Sequence, residues 1–222
     1  MSAFNLVPVV ASGFLNQVND VTPGFPTGWP FGIPPTPMGQ LGVVFEFTDF
    51  EIANAYNPSV GTLFGGRYQY VQLDSAAGAA IVPGQAVFWK VPATGGQVAE
   101  SYTVTDNALY SGTEYAMQFA GVCIQASGKW TPGQYSFIDV GGLVNVQYRA
   151  ALTSTGAVNG PVFVANVLSG ADMGLFDVIT TAGAATLADV ETAIGQYAGR
   201  QTQAATNGGL KQIRLTDQRR VF

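Results

Sequence analysis

Apolar and polar residues alternate in short runs, and Gly or Pro separates most of those runs. Val43–Ile52 reads V-V-F-E-F-T-D-F-E-I, with the β-branched and aromatic content of a strand. Arg67–Leu73, Ala86–Val91, Ser101–Thr105, Phe119–Gln125, Tyr135–Val140 and Leu143–Arg149 predict further strands. Pro83-Gly84, Gly95-Gly96, Pro132-Gly133 and Gly141-Gly142 read as the turns between them. Ser111-x-x-Glu114 and Thr186-x-x-Asp189 are capping-box-like and predict at most short helices.

The pattern recurs. Gly141–Tyr148 resembles Gly208–Leu215 at an offset of 67. Val104-Thr105 and Gly121 match Val178-Ile179 and Gly195 at 74, and Ile81–Gly84 matches Ala157–Gly160 at 76. Shrinking offsets predict one motif used twice, with shorter hairpins in its second copy. Val146/Tyr148 and Ile213/Leu215 are then expected to face two equivalent cores. The expected fold is all-β and mainly antiparallel, with two small related barrel- or sandwich-like lobes at 67–150 and 151–222. A long extended N-terminal arm, residues 1–66, precedes them and contains one strand.

Residues 1–45 carry one charge, Asp20, and six of the chain's 12 prolines lie between Thr22 and Gly39. Proline fixes φ and lacks an N–H, so this stretch is neither regular helix nor central strand. Phe25, Trp29, Phe31 and Ile33 sit among those prolines, which is not the composition of a solvated linker. The arm is expected to lie on a neighbouring subunit through these four side chains.

Composition narrows the chemistry. Of 222 residues 47% are hydrophobic and only 10% charged, too few charges to cover a monomer's surface in the usual way. There is no His, which excludes Ser-His-Asp and Cys-His catalysis and His-ligated metals. One cysteine, Cys123, excludes an internal disulfide and reads as a buried structural thiol. The net charge of −5 argues against nucleic-acid binding. No basic segment precedes an apolar run at the N-terminus, and no uninterrupted apolar stretch suits a membrane helix.

Charge is also polarised along the chain. Residues 1–199 have a net charge of −9 and residues 200–222 of +4. Lys211, Arg214, Arg219 and Arg220 read as a basic tail, either a solvated terminus or a group that seeks an acidic surface, including another copy of the chain. Gly61–Tyr68 has phosphate-loop glycine spacing but Arg and Tyr where Lys and Ser/Thr belong, so it reads as a turn into a strand. Glu46, Asp49 and Glu51 are the densest carboxylates; a solvated or interface-facing strand is the default over an acid/base pair or calcium site. Trp89 and Trp130 with Tyr135 are candidates for a sugar-stacking platform, against the commoner use of such aromatics in a core.

Arg67–Val71, a Pro-Gly turn before a strand, Phe119–Val122 and Gly141–Val146 together resemble the tailed-bacteriophage capsid decoration (cement) proteins. The resemblance covers residues 67–150, with a fainter echo to 218. It implies a non-enzymatic virion protein, made in the host cytoplasm, that binds the capsid exterior and stabilises the shell. The implied partners are the major capsid protein and copies of the chain itself, with no cofactor, nucleic acid or membrane. A tail or head-fibre component, or a carbohydrate-binding β module, are the alternatives.

Overall fold

The computed structural model describes residues 41–49, 64–74, 77, 81–90, 102–106, 118–124, 130–152, 157–165, 172–178, 194–204 and 206–218. Ten strands occur in them: β1 (Val44–Phe47), β2 (Gly66–Leu73), β3 (Ala86–Trp89), β4 (Thr103–Thr105), β5 (Phe119–Cys123), β6 (Tyr135–Tyr148), β7 (Pro161–Ala165), β8 (Phe176–Val178), β9 (Ile194–Gln201) and β10 (Gly209–Leu215). The class is all-β and mainly antiparallel, as expected. Only β2–β4 and β6–β8 pair in parallel. Both capping-box-like segments lie outside the described residues.

The strands form one sheet in the order β1-β2-β4-β3-β5-β6-β10-β9-β7-β8, and two further pairings close it twice. Pairing of β2 with β6 closes a five-strand ring, β2-β4-β3-β5-β6. Pairing of β6 with β8 closes a second, β6-β10-β9-β7-β8, on the single rung Tyr148↔Phe176. An Arg149 N–H bond to Phe176 O at 3.0 Å extends that rung. Two barrels therefore share β6. Its first half pairs with β2 and β5, and its second with β10.

This arrangement corrects the reading of Gly141-Gly142 as a turn. The pair lies inside the 14-residue β6. Glycine is required there by close approach: a Cβ on Gly142 would sit 2.7 Å from Gly66 Cα, and φ is +121°.

The repeat is real in topology, since β2 to β6 and β6 to β10 trace the same order and direction. Its proposed residue matches were wrong. The turn at Gly84 (φ +86°) corresponds to that at Asn159 (φ +65°), 75 positions on, so asparagine takes the left-handed site. Register shifts in β3–β5 and β7–β9 pair Phe88 with Phe119 and Phe163 with Tyr197, skipping Ala120 and Ala198. Gly121 therefore corresponds to Gly199, not Gly195. Leu73↔Val104 matches Tyr148↔Phe176, so Val104 corresponds to Phe176, not Val178. Gly208 (φ +68°) repeats Gly133 (φ +88°), again 75 positions apart, because each opens the last strand of its ring. The offsets scatter about one period; they do not shrink.

Period-2 alternation fills each ring. Val71, Leu73, Val87, Trp89, Val104, Cys123, Ile138 and Val140 pack in the first, over Trp130. Val144, Val146, Tyr148, Val162, Val164, Phe176, Val178, Ile213 and Leu215 pack in the second. Val146/Tyr148 and Ile213/Leu215 thus share one core, because β6 and β10 are direct neighbours. Ala86, Phe88, Phe119 and Val122, on the other face of β3 and β5, join that same core and dock the first barrel on the second. Each of these two phenylalanines contributes about 1.5–3 kcal/mol of burial.

Candidate functional site

Where β2 and β6 nearly touch at Gly66 and Gly142, the two barrels leave a waist. Beside it lies a cleft of about 480 Å³, lined by Glu46, Asp49, Arg67, Arg214 and Asp217 and by backbone of Gly65, Gly66 and Gly141. Arg67 is the hub. Its Nη1 lies 2.6 Å from Asp217 Oδ2, and its Nε lies 3.5 Å from Glu46 Oε1. Asp49 Oδ1 accepts the Gly65 N–H at 2.7 Å. Glu46 on β1 and Asp49 just after it thus tie this segment to β2 and to the residue before it, while Glu51 lies outside the described residues. No group of three or more Asp, Glu, Cys or His able to hold a metal occurs among the described residues. The Gly61–Tyr68 glycine run ends as expected in a strand, with Tyr68 buried and its hydroxyl donating to Phe64 O.

Two buried carboxylates stand out beyond the cleft. Asp139, on β6, is 1% exposed. Burial pushes its carboxyl well above the usual range, and the Gly141 N–H bond only partly opposes that. Tyr68 is pushed up by its own burial and further by Asp139. Asp177, fully buried on β8, is held by Arg149 Nη1 at 2.8 Å, while Arg149 Nε reaches Asp172 at 3.1 Å. Partial burial of Arg149 opposes its charge, but bonds to Asp177 and Asp172 raise its pKa above the ordinary value. Arg149 thereby ties the end of β6 to β8.

The aromatic candidates are placed differently from a sugar platform. Trp89 is 1% and Trp130 0% exposed, and Trp130 Nε1–H donates to Gln134 O at 3.1 Å. Neither offers a face to a ligand. Tyr135 is half-buried beside Tyr70. Cys123 is buried, as its apolar strand suggested.

Lys211 and Arg214 belong to β10 and so are part of the second barrel. Alternation turns the half-buried Lys211 to the side of Ile213 and Leu215, and the exposed Arg214 to the opposite face. Arg219 and Arg220, and Phe25, Trp29, Phe31 and Ile33 of the arm, lie outside the described residues.

The sequence reading missed the outer face of β7, β9 and β10. Cross-strand pairs Pro161↔Arg200, Phe163↔Tyr197 and Arg214↔Arg200 put five side chains on it. The rings of Phe163 and Tyr197 meet edge to face at 5.8 Å, and Tyr197 is 41% exposed. The available signal was the F-A-G/Y-A-G echo at Phe119 and Tyr197, visible only at an offset of 78.

No protein-family model matches the chain, and no curated protein sequence does either.

Proposed function

We propose that the chain is a virion structural protein that binds the outer surface of a phage capsid and stabilises the shell without catalysing a reaction. Its partners in this reading are the major capsid protein and further copies of itself. The observation that carries the reading is how the described fold uses its charges. Each of its five ion pairs is internal, between residues that lie in a strand, just past a strand end or in an adjoining turn. The remaining surface is sparsely charged and presents uncovered aromatic area, which suits a subunit of a large assembly. Burial of Trp89 and Trp130 removes the residues on which a carbohydrate-binding reading rested.

Mixing the protein with undecorated phage heads and following head melting tests this. Binding with a rise in head melting temperature is expected. Absence of both binding and shift would reject the reading.

A further inference from the structure

The turn before β7 holds a chemistry that its counterpart in the first barrel lacks. Gly84 takes the left-handed position in the first barrel, and Asn159 takes it in the second, followed by Gly160. An Asn-Gly step can cyclise. The glycine backbone nitrogen, unshielded by any side chain, loses its proton and attacks the asparagine Cγ. A C–N bond forms and ammonia leaves. The resulting succinimide takes up water and opens to aspartate or isoaspartate. Water is the only co-reactant, and nothing is oxidised or reduced.

The chain has two such steps, Asn159-Gly160 and Asn207-Gly208, and both asparagines are exposed. Both glycine N–H groups are bonded, but they hold different things. Gly160 N–H meets Ala157 O at 2.9 Å and closes one surface turn, with Asn159 at its positive-φ position. Gly208 N–H meets Arg149 O at 2.7 Å and ties the start of β10 to the end of β6. The side chains differ further. Asn207 Oδ1 accepts the Leu152 N–H at 3.2 Å, so its amide must leave a partner before turning onto Gly208 N. The Asn159 amide has no hydrogen-bond partner among the described residues. An L-residue at φ +65° is also held there at a cost, so leaving that conformation is less opposed.

We propose that Asn159-Gly160 is a self-modification site, where the native chain converts a side-chain amide to a carboxylate faster than at Asn207. Its place in the fold gives the conversion an effect. Arg200 Nη1 donates to Asn159 O at 3.0 Å, so the new carboxylate arises beside an arginine. Arg200 stands opposite Arg214, and a negative charge there offsets that like-charged pair. Isoaspartate also adds one atom to the backbone of the turn. That turn carries the bonds from Asn159 N–H to Gln201 O and from Gln201 N–H to Gly160 O, both 2.9 Å. The isoaspartyl product therefore loosens the adjoining ends of β7 and β9. The proposal does not depend on the virion reading and concerns the isolated protein.

Timed incubation of the full chain at mildly alkaline pH tests it, with peptide mapping by mass spectrometry and fragmentation to locate each converted residue. In the native chain, Asn159 is expected to convert about tenfold faster than Asn207, the effect of one additional hydrogen bond to break. In urea the two sites are expected to convert at similar rates, because the sequence at each is Asn-Gly and only the fold separates them. Asn159→Gly suits the positive φ, so it is expected to keep the fold, abolish conversion at 159 and leave the Asn207 rate unchanged. Native conversion at Asn207 that equals or exceeds that at Asn159 overturns the proposal. So does an Asn159 that stays intact in the native chain over the time in which the urea-unfolded chain converts fully.

Discussion

Gly199 lies where the β9 bulge leaves no room for a side chain. A Cβ there would fall 2.1 Å from Arg214 O, and one on its counterpart Gly121 would fall 2.5 Å from Asp139 O. The obstacle is backbone of the neighbouring strand, which cannot swing away. Gly199→Ala is expected to destabilise by about 1–3 kcal/mol, read as a lower urea midpoint at unchanged slope. A neutral effect would mean that the ladder yields. Asp139 couples the fold to pH. Its folded pKa lies above its unfolded one, so the native state binds more protons. Its contribution is fully present below about pH 4, where both states are protonated, and declines as pH rises toward its own raised value. Asp139→Asn keeps an oxygen to accept the Gly141 N–H and removes the buried charge. The variant is expected to be more stable than the wild type at neutral pH, with the gap closing on acidification. Urea midpoints across pH that show no gap would contradict this.

At the scale of elements, the second ring closes on little more than one rung, so its side-chain clamp matters. Arg149 follows directly on β6 and reaches Asp177 on β8 and Asp172 in the turn before it. Arg149→Met is expected to cost about 3–5 kcal/mol, because a buried carboxylate loses its cation. Arg149→Lys should recover only part, since one ammonium cannot reproduce the guanidinium fork. Equal stability of all three forms would show that closure does not depend on the clamp. Most strands were legible because their alternation is local: Arg67–Leu73, Ala86–Val91 and Phe119–Gln125 became β2, β3 and β5 with small changes at the ends. Gly141-Gly142 was misread because a glycine pair signals a turn as strongly as it signals a close approach, and only the distant Gly66 distinguishes them. The repeat was misaligned for a related reason. Gly208-Gly209 resembles Gly141-Gly142 in composition, but register, which is set across strands, makes Gly208 the counterpart of Gly133 in the other barrel. Arg149 with Asp177 and the Phe163/Tyr197 face were invisible for the same cause.

For the whole molecule, sharing β6 means that one continuous strand serves both rings, its first half in the first and its second half in the second. The first barrel's outer Phe88 and Phe119 lie in the core that contains Val144 and Ile213, so the two barrels are expected to unfold together. Calorimetry should give one transition whose calorimetric and van't Hoff enthalpies agree. Two separated transitions would show that the barrels are thermodynamically independent. A chain ended at residue 141 lacks the strand that begins the second ring and uncovers Phe88 and Phe119; it is expected to aggregate. The long shared strand also sets how the molecule bears load. Fourteen residues at about 3.3 Å each make a tie of roughly 46 Å through both barrels. Tension applied along that tie acts parallel to the strand, across many hydrogen bonds at once, where a tie between separate domains would open bond by bond. A pull that separates the two ends of the molecule is thus met by covalent backbone first and by rows of hydrogen bonds in shear second, so the joint between the barrels is not its mechanical weak point.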